Sequence, residues 1–101
     1  MLELGTIEGA RSLGLAGHTG SIRPGKRADL ILVNTRELNM GVFSDPAHLL
    51  VEAAQPANVD TVMVDGRILK RRGRLTAVNV EQVVDEARAA LSAVRKRANW
   101  W

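Results

Sequence analysis

A chain of 101 residues that is 46% apolar and 25% charged has the size and balance of one ordinary globular domain, which excludes an intrinsically disordered segment. Fourteen Lys and Arg against eleven Asp and Glu leave a net charge of +3, too small an excess to call for nucleic acid as a partner. Cysteine is absent, so disulfides and thiolate metal sites are excluded, and with Phe43, Trp100 and Trp101 as the only aromatic residues the core is expected to be aliphatic.

In chain order, Leu2 to Leu13 is expected to be a helix, because Leu4, Ile7, Ala10 and Leu13 recur on one face. Gly14 stands where a left-handed cap belongs, followed by Leu15, whereas Gly5 and Gly9 weaken the segment as a free-standing helix. After a loop over residues 16–20, Pro24-Gly25 marks a turn, Pro presetting φ and Gly accepting the positive φ that follows. Ala28 to Val33 is branched, aliphatic and nearly continuous, the pattern of a buried strand. Residues 34–44 are expected to be irregular. Asp45-Pro46 is a helix start, with the carboxylate as N-cap and Pro at the first helical position, and the helix should run to about Ala54 before Gln55-Pro56 breaks it.

Val59 to Val64 is expected to be a second strand, and Asp65-Gly66 the dipeptide of a two-residue hairpin turn. Arg67 to Arg71 returns from that turn, with a charge suited to an edge or a face open to water. Arg72-Gly73 turns the chain again before Arg74-Leu75-Thr76. If this hairpin lies in the core of a sheet, Asp at Val62 or at Val64 should unfold the chain. The final helix is the clearest element. Asn79 and Gln82 form a capping-box pattern, and Val80, Val83, Val84, Ala87, Leu91, Val94 and Ala98 align as one stripe. Glu81, Asp85 and Glu86 near its start and Arg95, Lys96 and Arg97 near its end suit the helix dipole. The expected fold class is therefore α+β: three or four strands, a leading helix, a short middle helix and a long closing helix.

Three blocks carry a resemblance. Thr6 with Ala10-Arg11-Ser12-Leu13-Gly14-Leu15 resembles the last barrel helix of the amidohydrolases of the cytosine-deaminase and chlorohydrolase type. Gly20-Ser21-Ile22-Arg23-Pro24-Gly25-Lys26-Arg27-Ala28-Asp29-Leu30 resembles the element that enters that family's small β-sandwich. Val59-Asp60-Thr61-Val62-Met63-Val64-Asp65-Gly66-Arg67, with Gly73, resembles its closing hairpin. The blocks keep the family's order and spacing over residues 6 to 75. The resemblance implies that residues 1–15 are the last barrel-type helix, 16–78 an incomplete β-sandwich and 79–101 a closing helix, all in one compact domain. It further implies a C-terminal portion of a hydrolase acting on C–N or C–Cl bonds. Such enzymes bind a divalent metal, usually zinc or iron, through a His-x-His pair, two further histidines and an aspartate that all precede this portion.

No catalytic or metal-ligating set of its own is expected here. The chain has two histidines, His18 and His48, whereas a hydrolytic zinc site needs three protein ligands and an open position. Asp45 and His48 are spaced to share a helix face, but capping is the better use of Asp45. Ser12, Ser21, Ser44 and Ser92 lack the nucleophile-elbow pattern, and the glycines between Gly14 and Gly25 lack phosphate-loop spacing. Arg67, Lys70, Arg71, Arg72 and Arg74 are the candidate anion-binding residues; without interleaved aromatics they favour a solvated hairpin over a nucleic-acid site.

Three functions are weighed: part of a C–N hydrolase, a stand-alone oligomerisation module, and a small anion-binding protein. The first two share an expectation. An uncovered first helix and an open sheet edge should drive assembly into a homo-oligomer, or onto a catalytic barrel chain in trans. The N-terminus resembles no secretory leader, and the longest apolar run, Leu30 to Val33, is far short of the ~20 residues of a membrane span. A cytoplasmic, membrane-free protein is expected. Trp100 and Trp101 fold back on the last helix, meet a neighbouring chain or form a frayed end.

Overall fold

The computed structural model describes residues 1–100, and the expectation for Trp101 lies outside the described residues. The elements are helix α1 (Ile7–Ser12), strand β1 (Leu30–Val33), helix α2 (Pro46–Glu52), a 3-10 turn (Pro56–Asn58), strands β2 (Val59–Val64), β3 (Arg67–Arg71) and β4 (Arg74–Leu75), and helix α3 (Val80–Arg97). The strands form one antiparallel sheet in the order β1-β2-β3-β4. The fold class is α+β, as the sequence leads one to expect.

Helix α1 starts later than its apolar spacing suggests. Residues 2–6 form turns instead, with the Thr6 hydroxyl donating to the Leu2 carbonyl at 2.9 Å. The Leu4 carbonyl then lies so close to the helix that a Cβ on Gly9 would sit 2.8 Å from it. The end of the helix is the expected one. Gly14 has φ of 72°. The Leu15 N–H donates to the Ala10 carbonyl at 2.8 Å and the Gly14 N–H to that of Arg11 at 3.0 Å, the two bonds of a Schellman motif. Asp45 caps α2 by accepting from the Ala47 N–H at 3.0 Å, and the Asn79 side chain caps α3 by accepting from the Gln82 N–H at 3.1 Å.

Both hairpin turns have the left-handed pair that a type I′ turn requires: φ is 50° and 79° at Asp65-Gly66, and 51° and 77° at Arg72-Gly73. Arg is a poor occupant of the first of these positions, since its Cβ crowds the backbone at positive φ. Arg72 is also flanked by Arg71 and Arg74, directly opposite each other across the ladder, where like charges repel. Arg72→Asn is therefore expected to stabilise the chain by about 0.5–1 kcal/mol, read as a higher urea midpoint at unchanged slope.

The core is small. Ala10, Met40 and Leu49 are the buried apolar residues among those described, joined by the polar Asn58 and Thr61. Two sequence expectations are corrected here. Strand β1 is not buried: Ile31 and Leu32 are 54% and 56% exposed, and Leu30 and Val33 are only half-buried. Val64 is 44% exposed at the end of β2, so Asp there should be tolerated, unlike Asp at the half-buried Val62. Strand β3 is flanked by the two-residue β4 and so is not the edge, but its exposure does alternate as expected for a face open to water.

The stripe foreseen on α3 is present, yet none of that helix's residues is buried. The radius of gyration is 18.7 Å, against about 13 Å for a close-packed chain of this length.

Candidate functional site

Two of the three blocks that carry the family resemblance meet in space. The Asp29 carboxylate accepts from the Asp65 N–H at 2.6 Å, and the Gly66 N–H donates to the Ala28 carbonyl at 3.1 Å. Entry strand and hairpin turn are thereby clamped together, with the carboxylate satisfying a turn N–H that the ladder leaves free. Upstream, Pro24-Gly25 forms a type II turn, closed by the Lys26 N–H on the Arg23 carbonyl at 3.2 Å, with φ of 86° at Gly25. The Lys26 ammonium bonds Ser21 Oγ at 2.7 Å and the Thr19 carbonyl at 3.3 Å. The Arg27 N–H reaches the His18 carbonyl at 2.8 Å. The polar residues of these blocks hold loops in place.

A second polar cluster gives no periodic signal in the sequence. Asn58, 3% exposed, accepts through Oδ1 from the Gln55 N–H and from Asn39 Nδ2, both at 2.8 Å. It donates through Nδ2 to Asn39 Oδ1 at 3.1 Å. Its backbone carbonyl accepts from the Asn34 N–H at 2.7 Å. The irregular segment 34–44 is thereby tied to the end of α2 and the start of β2.

None of the candidate catalytic groups converges on another. Asp45 is engaged as a cap. His48 pairs with Glu52 on the exposed face of α2 (Nε2 to Oε2, 3.1 Å). His18 is exposed on its loop. The Ser12 hydroxyl donates to the Gly9 carbonyl at 2.7 Å, Ser21 is held by Lys26, and Ser44 and Ser92 are exposed. No three His, Asp or Glu side chains gather to hold a metal among the described residues. The donor set here does not fit a hydrolytic metal centre, which needs three protein ligands on one point.

The candidate anion-binding residues divide between faces. The exposure of β3 alternates, placing Arg67 and Arg71 on its open side and Lys70 on its half-buried side. Arg74 pairs with Arg71 across the ladder, and Arg72 stands at the turn.

One concave feature is apolar. The turn before α1, strand β1 and helix α2 enclose a cleft of about 560 Å³, lined by Leu2, Ile31, Leu32, Leu49, Leu50 and Pro56 among others. Ile31 and Leu32 are fixed in it by β1 pairing to β2, and Leu49 by the turn of α2 that Asp45 starts. A cleft walled mainly by aliphatic side chains, with Leu2, Ile31 and Leu32 exposed, suits an apolar segment better than a polar substrate. Sequence reasoning missed it, because its walls come from three separated segments.

Residues 1–69 match the pattern described as the amidohydrolase family. The chain belongs to the amidohydrolase family. It is 40% identical over 96 residues to the 5′-deoxyadenosine deaminase of Methanobrevibacter smithii, covering 94% of this chain and 22% of that protein. It is 42% identical over 82 residues to the 5-methylthioadenosine/S-adenosylhomocysteine deaminase of Moorella thermoacetica, covering 81% of this chain and 19% of that protein. The crystal structure of an adenosine deaminase from Xanthomonas campestris with bound zinc superposes with a TM-score of 0.85 at 29% identity, covering 94% of this chain and 22% of that one. The chain thus spans about a fifth of the length of the proteins it matches. Among the described residues no helix is long and apolar enough to cross a membrane.

Proposed function

We propose that this chain serves as the β-domain portion of a zinc-dependent amidohydrolase that removes the amino group of an adenosine-type nucleoside, hydrolysing a C–N bond. The observation that carries this reading is the 40% identity, across nearly the whole chain, to a 5′-deoxyadenosine deaminase of which it spans 22%. The chain's own contribution is scaffolding. Its clamp between Asp29 and the Asp65 turn fixes the sheet, and its apolar cleft offers a seat for the catalytic barrel. In this reading zinc and the reacting water are held by barrel residues, outside the segment described. A cysteine-free chain suits a cytoplasmic enzyme of this kind.

The reading is tested by assaying the purified chain for zinc and for ammonia release from 5′-deoxyadenosine. The assay is run alone and then with the Methanobrevibacter smithii relative truncated to lack the corresponding segment. The chain alone is expected to hold no stoichiometric zinc and to release no ammonia, and the mixture to regain zinc and turnover. Stoichiometric zinc and turnover by the chain alone would overturn the reading, and so would a mixture as inert as its parts.

A further inference from the structure

Among the aspartates of the chain, Asp65 alone precedes a glycine. An Asp-Gly bond is chemically weak in water, because no side chain on the second residue shields its nitrogen from the neighbouring carboxyl carbon. Asp65 and Gly66 are both exposed, at the tip of the β2–β3 hairpin. Their backbone is nevertheless tied down. The Asp65 N–H donates to Asp29 Oδ1 at 2.6 Å. The Gly66 N–H, whose nitrogen is the one that would react, donates to the Ala28 carbonyl at 3.1 Å. The positive φ angles of the turn, 50° and 79°, add a third restraint. In a type I′ turn ψ at the first central residue is about +30°, which keeps the Gly66 nitrogen on the far side of the Cα–C bond from the Asp65 Cβ.

We propose that Asp65-Gly66 is a site of aspartate isomerisation that the clamp to Asp29 and Ala28 holds shut. In this reaction the Gly66 nitrogen gives its proton to solvent and attacks Cγ of the protonated Asp65 carboxyl. A C–N bond forms, a C–O bond breaks and water leaves, closing a five-membered succinimide. Water then adds back. Addition at the side-chain carbonyl regenerates Asp65. Addition at the main-chain carbonyl breaks the original peptide C–N bond and leaves the chain running through the former side chain, an isoaspartate. One water is lost and one regained, so the mass is unchanged and no oxidant or cofactor is required. Ring closure needs rotation about the Asp65 Cα–C bond until the Gly66 nitrogen reaches the Cβ side. The Gly66 nitrogen leaves Ala28 in that motion, and the turn that presents the Asp65 N–H to Asp29 opens with it. The reactive state is therefore a local opening, whose population sets the rate.

The change does not leave the fold as it was. An isoaspartate adds one carbon to the main chain inside a two-residue turn, so the two N–H groups can no longer reach Asp29 and Ala28 together. The modification severs the entry strand from the hairpin, the link by which the two segments hold each other. This inference is independent of the proposed chemistry.

The test ages the purified chain at mildly acidic pH, where the leaving carboxyl is protonated, and counts isoaspartate at position 65 by peptide mapping. An isoaspartyl peptide keeps its mass, elutes apart and resists a protease that cuts before aspartate. The chain unfolded in urea gives the unrestrained rate. The folded chain is expected to isomerise at least about a hundredfold more slowly, the effect of two clamp bonds. Amide exchange at Gly66 in the parent chain reads the same opening directly and should be slowed by a similar factor. Asp29→Ala removes a carboxylate acceptor and is expected to raise the folded rate about tenfold. Asp29→Asn keeps an acceptor oxygen and should stay within about threefold of the parent. Gly20→Ala weakens the chain away from the clamp, which separates local opening from global unfolding, and should change the rate by less than about twofold. An unprotected Gly66 amide, an Asp29→Ala chain that ages like the parent, or a Gly20→Ala chain that ages as fast as Asp29→Ala would each overturn the proposal.

Discussion

Replacing Asn58 with Leu is expected to destabilise the chain by about 3 kcal/mol, although Leu is apolar, of similar size and enters a buried position. The cost arises from the partners left behind. With Oδ1 gone, the Gln55 N–H loses its acceptor and Asn39 Nδ2 loses one of its two, and with Nδ2 gone the Asn39 carbonyl loses its donor. These groups belong to the exposed residues Asn39 and Gln55 but are part-buried against Asn58, and each one left without a partner costs up to about 1–3 kcal/mol. Stability per residue in folded chains is only about 0.05–0.15 kcal/mol, and few apolar residues are buried here to offset the loss. A urea titration followed by circular dichroism should show Asn58→Leu largely unfolded where the parent chain is folded. Ser44→Ala, at an exposed position, should lie within about 0.5 kcal/mol of the parent. A Leu variant as stable as the parent would mean that the Asn39–Asn58 pair does not hold the loop.

Gly20→Ala is expected to cost about 2–3 kcal/mol, the sum of a backbone term and a packing term. Gly20 has φ of 91°, and a Cβ there would lie 2.8 Å from the Ala10 Cβ and 3.0 Å from the Ile7 Cα. The obstruction is helix backbone and a methyl fixed to it, which cannot swing aside as a long side chain would. The loop must therefore lift off α1, uncovering the buried Ala10. Gly25→Ala separates the two terms, because Gly25 has φ of 86° with open space around it. That variant should lose only the backbone term, about 1 kcal/mol. Equal losses at the two glycines, compared by urea midpoint, would show that the loop does not rest on α1.

Much of the backbone was legible because its signals are local. Asp45-Pro46, the Asn79 cap, Pro24-Gly25 and Asp65-Gly66 each act within one turn of chain, and each appears where the sequence places it, whereas the Gln82 side chain donates to Glu86 instead of completing a capping box. The end of α1 at Gly14 was legible for the same reason, whereas its start was not. Apolar spacing at Leu4 argued for helix, but backbone freedom at Gly5 and the close passage of the Leu4 carbonyl over Gly9 favour turns. Strand β1 was read as buried because four aliphatics in a row are the mark of a covered strand. The residues have that character, but the covering layer is not among those described.

The sequence by itself determined the element order, the Pro24-Gly25 and Asp65-Gly66 turns and the family, since these rest on neighbouring residues. Only the tertiary structure decided that Asp29 clamps the Asp65 turn across 36 positions, that Asn39 and Asn58 bond reciprocally across 19, and that three distant segments wall one apolar cleft. It also decided that α3 carries an amphipathic stripe without burying it. Periodicity records that a face is apolar, but what covers that face depends on the path of the whole chain and on the surfaces that chain meets.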